Sequence, residues 1–287
     1  MRHVSNTKES KVSRPSRIAD VFAARRQSKQ MAFMPFLTAG DPNLAVTARL
    51  VEELSAAGAD LIEIGFPYSD PIADGPVIQA SYTRALAGGL HVPDIFTAMA
   101  TVSPKITSPL VAMVSYAIIF RIGNESFVKQ AAESGFAGLI VPDLPGDESD
   151  EFHELVNRHG LDLIQLVAPT TPADRSARIL KNASGFVYCI AVSGTTGTRE
   201  TLAPQLAGML KTLRSQTTLP LAVGFGLSRP EQVEQLRGLA DGAIVGSAIV
   251  RHLEELSADP AKIDDVVRRL VQYAGSIATA AHSTSLG

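Results

Sequence analysis

The chain has 287 residues, of which 45% are hydrophobic and 19% charged, a composition typical of a globular protein with a sizeable core. A net charge of −3 and a pI near 6.1 do not indicate the basic surface that nucleic-acid-binding proteins have. No apolar run approaches the ~20 residues that span a membrane. The single cysteine, Cys189, lies in an apolar run, so we expect a buried thiol and, without a signal-peptide core near Met1, a cytoplasmic protein.

The predicted elements alternate between strands and helices after a polar, disordered tail at residues 1–15. The spacing of Ile18, Val21 and Phe22 predicts a short amphipathic helix at 17–28. Apolar segments predict strands at 31–38, 60–65, 110–116, 138–141, 162–167, 186–191, 220–223 and 242–245. Helices are predicted after them at 43–57, 76–86, from 93, at 125–134, 148–159, 173–182, 202–214, 230–238 and after 245.

The strands have the composition of a parallel sheet covered on both faces. Runs such as Leu139-Ile140-Val141 are apolar without alternation. Eight strand–helix units over about 250 residues match a (β/α)8 TIM barrel better than an open doubly wound sheet. We therefore predict one α/β barrel domain at 16–275 with an extra N-terminal helix, followed by a flexible tail at 276–287.

Two carboxylates lie at the end of the second predicted strand and in the loop after it. Side-chain alternation places Glu63 on the same strand face as Leu61 and Gly65, among apolar residues. A carboxylate there is either paired or used for chemistry, because desolvating an unpaired charge is costly. Asp74 follows in a loop that contains Pro71. A solvated strand end at Glu63 and a simple turn at Asp74 remain the alternative on these residues alone.

Three glycine-containing segments follow the last three predicted strands, at 193–197, 224–226 and 246–247. Glycine lets backbone amides approach an anion closely, and barrel phosphate sites lie after these strands. Each segment alone is weak evidence for a phosphate site, because glycine is also common at the ends of strands. Together they favour a phosphate-binding site.

The sequence has no motif for metal, nucleotide or Schiff-base chemistry. His153 and His159 are not at metal-ligand spacing, and there is no Walker loop, so we expect no metal. No lysine ends a predicted strand in the manner of a Schiff-base enzyme. The remaining hypothesis is that carboxylates transfer protons to and from a phosphorylated small molecule.

The run Ile62-Glu63-Ile64-Gly65 through Tyr68-Ser69-Asp70-Pro71-Ile72-Ala73-Asp74-Gly75 resembles the signature of the tryptophan synthase alpha subunit family. The similarity includes the segments 33–42, 140–145, 194–197, 224–226 and 246–250, and covers nearly the whole chain after about Ser16. It implies a retro-aldol lyase of tryptophan biosynthesis that cleaves indole-3-glycerol phosphate to indole and glyceraldehyde 3-phosphate. It further implies no cofactor in this chain and an alpha2beta2 heterotetramer with a beta subunit that binds pyridoxal phosphate.

The resemblance also implies residue roles. Glu63 is the general acid/base, Asp74 hydrogen-bonds the indole N–H, and Asp70 is exposed at the partner interface. The other residues are expected to contact the substrate. Those around the indole are Phe36, Ile78, Tyr116, Ile140, Tyr188 and Phe225, Thr196 is a further substrate-binding residue, and those at the phosphate are Gly197, Gly226, Gly246 and Ser247.

The chain departs from the family pattern in two places. Ile118 stands where the family usually has Asn, and Gly194-Thr195-Thr196-Gly197 stands for Gly-Val-Thr-Gly. Three other functions stay open: a stand-alone indole-releasing lyase, another phosphate-binding barrel such as an isomerase, and a catalytically silent activator of the beta subunit.

Overall fold

Eight parallel strands close into a barrel in which β1 to β8 are hydrogen-bonded in sequence order. The structure is a computed structural model that describes residues 16–71, 74–191, 204–224 and 226–284. The strands are β1 (Ala32–Thr38), β2 (Ile62–Gly65), β3 (Leu110–Met113), β4 (Phe136–Ile140), β5 (Asp162–Val167), β6 (Val187–Ile190), β7 (Leu221–Gly224) and β8 (Gly242–Val245). The predicted TIM barrel is confirmed.

Helices surround this barrel, as the strand–helix alternation of the sequence predicts. They are α1 (Arg17–Gln27), α2 (Leu44–Ala56), α3 (Pro76–Ala87), α4 (Val92–Val102), α5 (Tyr116–Ile122), α6 (Asn124–Glu133), α7 (Asp150–Arg158), α8 (Ala173–Lys181), α9 (Pro204–Gln216), α10 (Pro230–Glu234), α11 (Ser247–Arg251), α12 (Glu255–Ala258) and α13 (Ile263–His282). Short 3-10 helices lie at Ser103–Lys105, Gly146–Glu148, His252–Glu254 and Pro260–Lys262.

Strand side chains alternate between the barrel interior and the layer between strands and helices. Ile62 and Ile64 belong to the outer layer with the helices, where the buried Cys189 also lies. Phe36 and Val111, the register partners of Glu63 on β1 and β3, belong to the inner cluster. Glu63 therefore faces the barrel interior, as the alternation predicts.

Helix α1 covers the end of the barrel where the strands begin. The Ser16 hydroxyl accepts a hydrogen bond from the Ala19 N–H and caps this helix. Ile18 and Phe22 are buried in the inner cluster, and the Phe22 and Phe186 rings lie 5.5 Å apart. The extra N-terminal helix thus closes this end of the core and leaves the opposite end open for a site.

The C-terminal segment differs from our expectation. We predicted a flexible tail at 276–287, but α13 continues to His282 and buries Ile277, Ala278 and Ala281. The His282 Nε2 lies 2.7 Å from Oδ2 of Asp60. The other oxygen of Asp60, Oδ1, accepts a hydrogen bond from Arg25 Nε at 2.6 Å. Alanine gives a weak hydrophobic signal in a sequence but has the highest helix propensity, which is why the pattern was misread.

The third strand also differs from our prediction. The strand predicted at 110–116 ends at Met113, because the Ser115 hydroxyl accepts from the Ala117 N–H and starts α5. Asp143 stabilises this helix start from the next loop, since its oxygens accept from Ser115 Oγ at 2.6 Å and from the Tyr116 N–H at 2.7 Å. Residues 114–116 were included in the predicted strand because periodicity in so short a segment does not separate strand from helix.

Among the described residues no single helix is long and apolar enough to cross a membrane. The pair Pro76–Ala87 and Val92–Lys105 reaches that length and composition only jointly, across a 99° bend.

We predict that Ile277→Ala lowers the free energy of unfolding by about 2–4 kcal/mol, since it deletes buried methyl groups and leaves a cavity. Thr279→Ala, an exposed position two residues away on α13, is the matched control and should change stability by less than about 0.5 kcal/mol. Chemical denaturation measures both. Equal stability of the two variants would mean that residues 276–282 contribute no packing.

Candidate active site

Glu63 is a carboxyl group buried inside the barrel. Its side chain is held on β2, the residue is 4% exposed, and its Oε1 has no hydrogen-bond partner. Burial raises the pKa of Glu63 to about 8, and the nearby Asp74 charge adds to the rise. The group therefore holds a proton at neutral pH, which suits a general acid.

Asp74 lies in the loop between β2 and α3 and is half-buried. Partial burial raises its pKa, while a hydrogen bond from the Tyr68 hydroxyl opposes the rise. The Asp74 N–H donates to the Pro71 carbonyl at 3.1 Å, so the chain turns just before the carboxylate. Burial is the larger effect and disfavours the anion, whereas the hydrogen bond from Tyr68 stabilises the anionic form of Asp74.

Tyrosine rings surround the two carboxyl groups. The Tyr68 and Tyr82 ring centroids lie 5.6 Å apart. Tyr82 and Tyr188 are buried, and their pKa values are raised first by burial and further by the Glu63 and Asp74 charges. A Cβ at Gly65 would overlap the Phe36 ring and lie 3.0 Å from the Tyr82 hydroxyl, so only glycine fits there.

Most residues expected around an indole come together at this end of the barrel. Phe36, Ile78, Ile140 and Tyr188 are all buried in the inner cluster that contains the neighbours of Glu63. They form the apolar wall of the site. Thr196 and Phe225, also expected here, lie outside the described residues.

Tyr116 does not join this wall, which corrects our prediction. It begins α5, and its ring packs edge-on against Phe152 at 5.8 Å, in the layer outside the strands. Its hydroxyl accepts from Asn124 Nδ2 at 3.1 Å. Because β3 ends at Met113, Tyr116 lies beyond the strand and turns away; Met113 lies in the inner cluster instead.

The expected phosphate residues that can be located follow adjacent strands. Gly226 follows β7 with a φ of +79°, and Gly246 precedes α11, whose first residue is Ser247. β7 and β8 are hydrogen-bonded neighbours, so these turns lie side by side at the open end of the barrel. Gly197, the remaining expected phosphate residue, lies outside the described residues.

Asp70 is exposed on the rim of a groove of about 1050 Å³ outside the barrel mouth. We call this the rim groove. Its walls are the loop after β2, the turn between α3 and α4, and helix α5, with lining residues that include Pro67, Leu90, Val92, Ile118, Arg121 and Ile122. The groove is mainly apolar and lies next to the loop that contains both Asp70 and Asp74.

Sequence reasoning did not assign roles to Tyr68 and Tyr82. Tyr68 lies inside the signature stretch, three residues before Pro71, but nothing in its spacing shows that its hydroxyl reaches Asp74. Tyr82 lies one helical turn after Ile78 on the inward face of α3, a spacing that also fits plain packing.

Among the described residues no group of three His, Cys, Asp or Glu side chains is placed to hold a metal ion.

The raised pKa of Glu63 predicts a pH-dependent difference in stability between wild type and Glu63→Gln. The pKa is about 8 in the fold and 4.5 as a free group, so the native state binds the proton more tightly. The free energy of unfolding of the wild type should therefore fall as pH rises from about 4.5 to about 8, by up to about 1.4 kcal/mol per unit. Glu63→Gln has no such titration and should gain on the wild type over this window. Urea denaturation of both at pH 5, 6, 7 and 8 measures it, and a constant difference would contradict a raised pKa.

Comparison with known proteins gives one family. The family model for the tryptophan synthase alpha chain matches residues 22–282. The chain is 47% identical over 245 residues to the tryptophan synthase alpha chain of Gloeobacter violaceus, covering 85% of this chain and 89% of that protein. It is 42% identical over 252 residues to that of Carboxydothermus hydrogenoformans, covering 88% of this chain and 94% of that protein.

Solved structures agree with this comparison. Tryptophan synthase subunit alpha from Legionella pneumophila superimposes with a TM-score of 0.84 at 34% identity, over 93% of this chain and 98% of that chain. A tryptophan synthase chain from M. tuberculosis gives 0.82 at 31% identity, over 93% of this chain and 100% of that chain. With the barrel, the buried Glu63 and the loop carboxylate Asp74 in place, the chain belongs to the tryptophan synthase alpha chain family.

Proposed function

We propose that this lyase of tryptophan biosynthesis cleaves indole-3-glycerol phosphate to indole and glyceraldehyde 3-phosphate, with Glu63 as general acid and base. The single observation that supports this best is the Glu63 carboxyl, buried in an apolar barrel mouth with Oε1 unpartnered and Asp74 close by. A buried carboxyl without a partner is costly to stability, so its retention points to chemistry.

One carboxyl group can perform both proton transfers of the cleavage. Glu63, protonated because burial raises its pKa, donates its proton to C3 of the indole ring. The resulting carboxylate then accepts the proton of the side-chain hydroxyl as the bond between C3 and the glycerol chain breaks. The electrons of that bond return to the ring, an aldehyde forms, and Glu63 is protonated again. Neither water nor an oxidant is consumed.

Asp74 stabilises the charge that this protonation creates. Once C3 carries a proton, positive charge develops at the ring nitrogen, and an anionic carboxylate that accepts the ring N–H lowers the energy of that state. The Tyr68 hydroxyl orients the Asp74 carboxylate and favours its anionic form. Phe36, Ile78, Ile140 and Tyr188 hold the indole by apolar contact, and backbone amides at Gly226 and Gly246 bind the phosphate.

We predict that Glu63→Gln lowers kcat for indole formation by at least about 10³-fold, because the amide cannot transfer protons in this pH range. Asp74→Asn should also lower kcat strongly while KM changes only a few-fold, since the charge that Asp74 stabilises appears after substrate binds. Steady-state indole release measures both, with circular dichroism as the folding control. Retention of wild-type turnover by Glu63→Gln would reassign the general acid.

The family implies a beta subunit as partner, and we propose that the rim groove is part of the surface that binds it. Apolar side chains such as Val92 and Ile118 line the groove, and Phe120 on the same α5 helix is 73% exposed. Exposed apolar surface of this kind marks protein contacts. Ile118, where the family usually has Asn, makes that contact apolar rather than hydrogen-bonded. The assembly proposed is an alpha2beta2 heterotetramer in the cytoplasm, with pyridoxal phosphate in the beta subunit and no cofactor in this chain.

Asp70→Ala should reduce activation of indole formation by the beta subunit several-fold while leaving the rate of the isolated chain nearly unchanged, because Asp70 is exposed and lines the rim groove. Asp20→Ala, an exposed acid on α1 at the opposite end of the barrel, is the charge-matched control. Activity with and without added beta subunit measures both. Equal losses in the two assays would place Asp70 in the active site.

The same assays separate the alternatives. A stand-alone lyase would show full activity with no response to the beta subunit. A silent activator would release no indole although the beta subunit responds to it. The Glu63 environment disfavours the second, since an activator has no use for an unpartnered buried carboxyl.

A further inference from the structure

Gln79, an exposed residue in the first turns of α3, hydrogen-bonds the base of the catalytic loop. Its side-chain Nε2 donates to the Asp74 carbonyl at 2.7 Å and to the Pro71 carbonyl at 3.1 Å. The same two residues are joined by the bond from the Asp74 N–H to the Pro71 carbonyl. One amide group therefore spans the turn that presents the Asp74 carboxylate.

No side-chain packing holds the chain at Gly75, where this turn meets α3. Gly75 separates Asp74 from α3, is exposed, and has no atom within 4 Å of the place that a Cβ would occupy. As the N-cap of α3 it provides no side-chain hydrogen bond. A glycine in open space is not fixed by side-chain packing, so the Asp74 backbone depends on the hydrogen bonds from Gln79, while the Tyr68 hydroxyl bonds the carboxylate itself.

Helix α3, to which Gln79 belongs, is fixed to the barrel by polar links. Arg84 donates to both oxygens of Asp41, at 2.9 and 2.7 Å, and the Asp41 side chain is fully buried. The Thr38 and Ser81 hydroxyls lie 2.6 Å apart and are buried. Thr38 and Asp41 belong to the end of β1 and its loop, and β1 is the strand that pairs with Glu63 through Phe36. The position of Gln79 is therefore fixed relative to Glu63.

We infer that Gln79 is a positioning residue for catalysis: its amide transmits the fixed position of α3 to the loop and holds Asp74 at its working distance from Glu63. Gln79 is exposed and touches neither carboxyl group, so it acts through the loop backbone. This inference deepens the function proposed above and rests on it. It assigns the loop geometry to a side chain on the helix in addition to Pro71 and Pro76, whose rings fix only their own φ.

The test compares Gln79→Ala and Gln79→Glu, which both lack the donor, with the wild type. Thr83→Ala is the matched control, since Thr83 is exposed one turn later on α3 and donates only to the Gln79 carbonyl at 3.0 Å. We expect kcat for indole formation to fall about tenfold in both Gln79 variants, the equivalent of about one hydrogen bond of lost loop order, with KM changed less than about twofold. Thr83→Ala should keep wild-type kcat, and all variants should keep the wild-type Tm.

Hydrogen exchange of the Asp74 backbone amide gives a second readout that needs no activity. Exchange should be faster in both Gln79 variants and unchanged in Thr83→Ala, because only the former release the turn. Unchanged exchange and kcat in the Gln79 variants, or an equal loss of kcat in Thr83→Ala, would overturn the inference. A wild type that releases no indole would instead defeat the proposed function, while the exchange comparison would still decide the role of Gln79.

Discussion

The burial of the Glu63 carboxyl group, with its Oε1 lacking a hydrogen-bond partner, is the constraint on which the rest of this site depends. Glu63 lies inside the barrel, where its charged form is disfavoured by several pKa units. The fold tolerates this cost because the group is neutral at physiological pH. Burying an oxygen without a hydrogen bond costs less free energy when the oxygen belongs to a neutral acid than when it belongs to an anion. The same burial that costs stability prepares a proton donor.

The surroundings of Glu63 are arranged to keep it dry yet reachable by substrate. Because Gly65 has no side chain, the Phe36 ring packs against its backbone. The buried rings of Tyr188 and Tyr82 fill the space around the strand ends. Asp74 is placed differently, on a loop, half-buried and supported by Tyr68. Two carboxyl groups of similar intrinsic acidity thus receive different environments and can take different roles.

Much of this could be predicted from the sequence, because barrel strands and a carboxylate on the inward face of β2 follow from periodicity. The spacing of Ile62, Glu63 and Ile64 is enough to place Glu63 inside. Three features could not. The end of β3 depends on Asp143, far along the chain, capping α5, so Tyr116 was misplaced. The length of α13 depends on alanine packing. The Gln79 side chain donates to the backbone carbonyl of Asp74, an acceptor that every residue has, so no sequence pattern indicates this contact.

Everything proposed for this site requires Glu63 to be a neutral acid in the resting enzyme. Infrared difference spectra between the wild type and Glu63→Gln isolate the carboxyl band of this one residue and can be recorded across a pH series. We expect a protonated carboxylic acid band at pH 6 that is lost as pH rises through about 8, the value to which burial raises the pKa of Glu63. A carboxylate band already complete at pH 6 would contradict it.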